Sequence, residues 1–306
     1  MIKAIINLSL LLLFVLGSKP GEAQQTNQDD RLNQIIHHLK NPGDPYVLVA
    51  VHRGDWRNYP ENSIPAIQGA IDMEADIVEI DVQRTKDGHL IVMHDERVDR
   101  TTNGAGLVSD LTLDSIKTLF LRNGLGRVTV FKVPTLEEAM LTAKGKILVN
   151  LDKCYNFFRE AHAILEETGT LSQVIIKGQK PAADVKKDFG SLLSSLNYMP
   201  MVDLNKALAG EHLIDQARQL NPLAVEIMFR TDTVAALSLL PSLRKKGVGI
   251  WINSLWKSLN GGHDDDYALS DPEDAYGWLI SKGATIIQTD RPLLLLNYLR
   301  MRRLHE

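Results

Sequence analysis

Aliphatic and β-branched runs recur along the chain, each followed by a stretch with the apolar spacing of an amphipathic helix. Eight of these runs read as strands: Tyr46–Val51, Asp76–Val82, Ile147–Asp152, Val174–Lys177, Tyr198–Val202, Ala224–Met228, Val248–Ile252 and Thr285–Gln288. Near-continuous hydrophobicity of this kind suits strands covered on both faces, as in a parallel sheet. The fifth run is the weakest, because Pro200 cannot donate to a ladder. Two helix starts are legible between the strands. Thr135-Leu136-Glu137-Glu138 is a capping box, in which hydroxyl and carboxylate satisfy each other's orphan amides. Asp271-Pro272-Glu273 sets a capping residue before a proline in the first helical turn. Eight β-then-α units predict an α/β fold, a TIM-type (β/α)8 barrel. One connection breaks the alternation: roughly fifty residues separate the second strand from the Thr135 helix, long for a βα loop. It predicts a small insertion after the second strand, over residues 87–134, lying on the C-terminal mouth of the barrel.

The chain start carries a different pattern. Lys3 precedes an apolar run from Ala4 to Leu16, followed by the small-residue exit Gly21-Glu22-Ala23. That is the layout of a secretory signal peptide, too short for a comfortable membrane span. The expected organisation is a signal peptide over 1–23, an N-terminal lead-in over 24–44 that is flexible from Gln24 to Asp30, and a barrel domain over 45–306. The protein is expected to be exported, periplasmic or secreted, with no stable membrane insertion once the signal is removed. A net charge of -4 over 306 residues argues against a nucleic-acid partner, which calls for a basic field. The single cysteine, Cys154, excludes an internal disulfide.

Chemistry concentrates where strands end. The first strand runs directly into His52-Arg53-Gly54, and the second reads Ile77-Val78-Glu79-Ile80-Asp81-Val82. Glu79 and Asp81 are two apart, so both point to one face while the flanking aliphatics point to the other. Two carboxylates facing a barrel interior repel each other, and a hard divalent cation held by their oxygens is the economical remedy. His94-Asp95 ends the short apolar run Leu90–Met93. Two histidines, an arginine and paired acids at strand ends suit hydrolysis of a phosphate ester: arginine forks onto a phosphate oxygen and imidazoles move protons. Other candidates are less pointed. Glu226 either lines the pocket or pairs with a lysine. His263-Asp264-Asp265-Asp266 reads as a solvated turn in a Gly-flanked loop, and Asn103-Gly104-Ala105-Gly106 as a tight turn.

The series His52-Arg53-Gly54, Pro60-Glu61-Asn62-Ser63, Glu79-Ile80-Asp81-Val82, Thr85-Lys86-Asp87-Gly88, His94-Asp95 and Arg100-Thr101-Thr102-Asn103-Gly104 resembles the glycerophosphodiester phosphodiesterase family. Pro134-Thr135-Leu136-Glu137-Glu138 and Gln288-Thr289-Asp290-Arg291-Pro292 continue the resemblance. It implies a barrel enzyme that hydrolyses glycerophosphodiesters, as small-molecule substrates, to sn-glycerol 3-phosphate and an alcohol. It also implies one divalent metal ion, Ca²⁺ or Mg²⁺. By the same resemblance His52 and His94 are general base and acid, Arg53 contacts phosphate, and Glu79 and Asp81 bind metal. Glu61 lies near the metal and glycerol hydroxyls, or else supports a turn while Asn62 or Ser63 caps the next helix. Trp251 lines the pocket, or packs in the core.

The third ligand departs from the pattern. The family usually shows Glu-x-Lys at the end of the third strand, whereas this chain reads Asn150-Leu151-Asp152-Lys153-Cys154. Asp152 is the candidate ligand. The phosphate cation is Lys153 after a bulge, or Lys177 at the end of the next strand, or neither. Two alternatives stay open: a related phospholipase barrel acting on intact lipid through a cyclic phosphate, and a barrel that binds phosphate esters without turning them over.

Overall fold

The computed structural model describes residues 20–306, so most of the expected signal segment lies outside the described residues. The strands are β1 (Leu48–His52), β2 (Ile77–Arg84), β3 (Leu90–Val92), β4 (Phe120–Arg122), β5 (Val128–Lys132), β6 (Leu148–Asp152), β7 (Val174–Gly178), β8 (Asn197–Asp203), β9 (Ala224–Met228), β10 (Gly249–Asn253) and β11 (Ile286–Thr289). The helices are α1 (Pro20–Lys40), α2 (Ile64–Asp72), α3 (Leu113–Thr118), α4 (Leu136–Ala143), α5 (Phe158–Thr168), α6 (Ala182–Phe189), α7 (Ala209–Leu220), α8 (Leu240–Lys245), α9 (Trp278–Ser281) and α10 (Pro292–Met301).

Strands β1, β2, β6, β7, β8, β9, β10 and β11 pair in parallel, and β1 returns to β2 to close the barrel. Each of the eight expected strands is present, with ends shifted by a residue or two. Pro200 is tolerated because β8 changes partner there: residues 197–200 pair with β7, and 201–203 pair with β9. The capping box at α4 forms, with Glu138 N–H donating to Thr135 Oγ1 at 3.1 Å and Thr135 N–H donating to Glu138 Oε2 at 2.8 Å.

Alternation along the strands divides the core. Val49, Val78, Ile80, Val149 and Ile176 face outward under the helices. Leu48, Ala50, Ile77, Leu148, Ile175, Met199, Ala224, Trp251 and Ile286 fill the lower barrel together with Ile35 and Leu39 of α1. Helix α1 therefore plugs the N-terminal end, which would otherwise expose that apolar floor to water. The stretch Gln24–Asp30, expected to be a flexible lead-in, is part of this helix. Buried Asp76, just before β2, ties the floor together. Its carboxylate accepts from Val49 N–H at 2.8 Å and Tyr46 Oη at 3.1 Å, and lies 2.9 Å from His305 Nε2 near the chain end.

The insertion folds on its own small core of Ile91, Met93, Val98, Val108, Ile116, Leu121 and Val133. β3 pairs antiparallel with the end of β2, and β4 and β5 form a separate hairpin. Among the described residues no helix is long and apolar enough to cross a membrane.

Because Ile35 is 1 % exposed against the barrel floor, Ile35→Ala should destabilise the protein by about 2–5 kcal/mol. Urea denaturation measures this. A loss below about 0.5 kcal/mol, the range of ordinary surface changes, would show that α1 is not a plug.

Candidate active site

Strand β2 directs Glu79 and Asp81 inward at 1 % exposure each, and the β2–β6 register sets Asp81 beside Asp152. One oxygen from each of the three carboxylates lies within 4.8 Å of the others. Burial, reinforced by the negative charge of Asp81, pushes the Glu79 carboxyl up to about 7. This donor set fits a hard divalent cation: it is all carboxylate oxygen, it converges, and its buried charges lack sufficient compensation from the protein. The shorter reach of aspartate at position 152 is accommodated by the register.

Lys177 supplies part of the missing positive charge. Its side chain is fully enclosed in the barrel, with Nζ 3.3 Å from Asp152 Oδ2 and 3.3 Å from Glu226 Oε2. Burial alone would lower its pKa, but the flanking Asp152 and Glu226 outweigh that and hold the ammonium above its ordinary value. Reciprocally, Lys177 more than offsets the burial of Asp152 and keeps that carboxyl below the ordinary range. Glu226 also accepts from Asn253 Nδ2 at 2.8 Å, and Asn253 Oδ1 accepts from Trp251 Nε1 at 2.8 Å. Of the two readings of Glu226, the structure shows pairing with a lysine.

The two histidines share a device. His52 Nδ1 lies 2.8 Å from Asp290 Oδ1, and His94 Nδ1 lies 2.7 Å from Asp95 Oδ1. An ionised carboxylate can only accept, so each Nδ1 carries the proton and each Nε2 is left for chemistry. Burial depresses the His52 pKa, but the Asp290 hydrogen bond and the Glu79 charge reverse this and raise it. Asp290 is fixed in turn: Trp56 Nε1 donates to its Oδ1 at 2.6 Å, and its own N–H donates to Asp265 Oδ2 at 2.7 Å. Asp265 also accepts from Ser254, Tyr276 and Thr289 hydroxyls. The run His263–Asp266 is therefore not the solvated turn expected. His263, Asp264 and Asp265 are buried, and Asp265 gathers four donors beneath the support of His52. Asp290 gave no local signal of its role, since 238 positions separate it from His52.

Arg53 follows β1 in a left-handed conformation (φ 54), a strained setting for a non-glycine residue. Its N–H donates to Glu79 Oε2 at 3.1 Å and its Nη1 to Glu61 Oε1 at 3.0 Å, while Nε lies 3.6 Å from Asp81 Oδ2. Gly54 must be glycine, because a Cβ there would lie 2.7 Å from the Ala66 carbonyl carbon. Of the two candidate caps, Ser63 caps α2 and Asn62 does something else. Asn62 clamps Asp81, donating to its Oδ2 at 2.8 Å and accepting from its N–H at 3.1 Å.

Three other candidates take definite places. Lys153 adopts φ 57 just past β6, and its Nζ donates to the His94 carbonyl oxygen at 2.8 Å. Lys177, not Lys153, is the lysine among the buried acids. Trp251 is fully buried in the barrel floor, and its Nε1 donates to Asn253. A half-exposed aromatic ring near His52 is that of Trp256, with its centroid 6.1 Å from that of the imidazole.

Comparison with known proteins follows this geometry. Residues 52–186 match the glycerophosphoryl diester phosphodiesterase family, and residues 198–299 match a domain of unknown function. A glycerophosphodiester phosphodiesterase of Caldanaerobacter subterraneus subsp. tengcongensis is 50 % identical over 108 residues, 35 % of this chain and 44 % of the relative. One from Bacillus subtilis is 45 % identical over 103 residues, 31 % of this chain and 35 % of the relative. The matches thus span less than half of these relatives' lengths. The fold is shared with a crystal structure of a glycerophosphoryl diester phosphodiesterase from Parabacteroides distasonis, at TM-score 0.73 and 24 % identity over 89 % of this chain and 92 % of that one. It is also shared with a phosphodiesterase of Oleispira antarctica in complex with the product sn-glycerol-3-phosphate, at TM-score 0.62 and 19 % identity over 83 % of this chain and 97 % of that one. The segment 52–186, which carries both histidines and all three converging carboxylates, is the part of the chain that is similar to the glycerophosphodiester phosphodiesterase family.

Proposed function

We propose that the protein hydrolyses glycerophosphodiesters to sn-glycerol 3-phosphate and an alcohol. The observation that carries this reading is the convergence of Glu79, Asp81 and Asp152 at the barrel mouth, beside the register partner His52. A divalent ion held there, Ca²⁺ or Mg²⁺, would supply the positive charge that draws a phosphate oxygen and neutralises it. Arg53, anchored through Glu61 and Glu79, offers further positive charge toward the phosphate, and Lys177 balances Asp152 and Glu226 from the barrel interior. His52, kept basic by Asp290, takes the proton of the attacking oxygen through Nε2. His94, oriented by Asp95, gives a proton to the departing alcohol. The basic start and the apolar run Ala4–Leu16 support export, which would expose the enzyme to substrates outside the cytoplasm.

His52→Ala and His94→Ala should each lower kcat by roughly 10²–10⁴-fold, the usual worth of a general acid or base. Release of glycerol 3-phosphate from glycerophosphocholine measures it. Turnover near wild type in both variants would end the two-histidine mechanism.

Metal dependence should follow Glu79. Its carboxyl rises from 4.5 to about 7 on folding, so the metal-free protein takes up a proton as it folds and loses stability as pH rises from 5 to 8. His52, also raised, loses its contribution in the same direction. A divalent ion competes with the Glu79 proton, so millimolar Ca²⁺ or Mg²⁺ should raise Tm more at pH 8 than at pH 5. Thermal melts with each ion and with chelator test this. Equal shifts at both pH values would contradict it.

A further inference from the structure

Arg100 lies in the insertion, and its guanidinium contacts all four oxygens of two carboxylates. Nη1 and Nη2 donate to Glu61 Oε2 and Oε1 at 2.6 and 2.8 Å. Nε and Nη2 donate to Asp95 Oδ2 and Oδ1 at 2.7 and 2.9 Å. Two edges of one planar fork are thus engaged at once, which a lysine ammonium cannot reproduce. Each carboxylate holds a different part of the proposed machinery. Asp95 bonds His94 Nδ1 at 2.7 Å, and Glu61 bonds Arg53 Nη1 at 3.0 Å.

We infer that Arg100 is a positioning residue: by bridging Asp95 and Glu61 it sets the orientation of His94 and Arg53 together, coupling the insertion to the barrel chemistry. This rests on the functional reading above. Asp95 alone could rotate about its own side-chain bonds and carry the imidazole with it. With both its oxygens pinned to a guanidinium that is itself pinned to Glu61, the carboxylate has one orientation, and so has the His94 tautomer it selects. Glu61, at the other edge, is held between Arg100 and Arg53 and cannot swing toward the buried acids of β2. The Arg100 side chain is 49 % exposed, so an ion-pair contribution to stability is small and its removal opens no core cavity. The arrangement instead supplies geometry, and misplacement of a reacting group by an ångström can cost roughly a hundredfold in rate.

The test uses the full-length protein as wild type, Arg100→Ala and Arg100→Lys. Arg100→Ala should fold, as judged by circular dichroism and Tm, and should lose kcat on glycerophosphocholine by roughly ten- to a hundredfold, with KM changing less. Free guanidinium should restore several-fold of the lost kcat, because the half-exposed site admits it, whereas methylammonium should not. Arg100→Lys should stay impaired. In ¹⁵N-edited NMR, the hydrogen-bonded His94 Nδ1–H should be present in wild type, weakened in Arg100→Ala and recovered with guanidinium. Turnover of Arg100→Ala within about twofold of wild type, loss that guanidinium leaves untouched, or an unchanged His94 signal would each overturn the inference. If wild type itself turned over no glycerophosphodiester while the His94 signal still depended on Arg100, the functional reading would fall and the linkage of Arg100 to His94 would stand.

Discussion

Negative charge held inside a closed sheet is the constraint around which this barrel is organised. Glu79, Asp81 and Glu226 project inward and are buried from water, and Asp152 joins them, partly exposed, at the mouth. Ionised carboxylates in such a place are tolerable only when paired or bound to a cation. The protein meets half of that demand itself. Lys177 bridges Asp152 and Glu226, and Arg53, forced into a left-handed turn, brings its backbone N–H to Glu79. The remainder is left open, and the rise of the Glu79 carboxyl expresses the deficit. The converging oxygens of Glu79, Asp81 and Asp152 fit a metal ion that would make up this shortfall of positive charge.

Around this charge deficit the histidines rest on hydrogen-bonded layers. His52 rests on Asp290, and Asp290 rests on Asp265, whose carboxylate is saturated by four donors. Burial raises the Asp265 carboxyl, while Thr289, Asp290, Ser254 and Tyr276 act to hold the charged form. Such supports fix a side chain within the tolerance that proton transfer needs. They come from opposite ends of the chain: β1 and the loop after β11 are neighbours only because the barrel closes. Closure therefore builds the active site as well as abolishing the sheet edges. The plug of α1 and the Asp76 cluster hold the other end of the same cylinder shut.

Local signals were legible in the residues and long-range ones were not. Eight apolar runs, the capping box at Thr135 and the overlong connection after β2 each follow from period or turn chemistry, and each is present. The spacing of Glu79 and Asp81 already put both on one face, and the register of β6 then brought Asp152 to them. What periodicity could not reveal is which residue meets which across the barrel. Asp290 and Asp265 carry no pattern that marks them as supports of a histidine. Lys153 and Lys177 looked equivalent on paper. A left-handed residue at Lys153 turns the chain away, and the alternation of β7 sends Lys177 inward. Trp251, an attractive pocket residue by type, is drawn into the floor by its place on β10, and Trp256, three residues past the end of that strand, takes the exposed position near His52.

Diffraction from crystals soaked in Mn²⁺, recorded at a wavelength where manganese scatters anomalously, tests the central claim most directly. One anomalous peak bounded by oxygens of Glu79, Asp81 and Asp152 is the predicted result. Absence of a peak there at saturating manganese, with the three carboxylates still converged, would contradict the account.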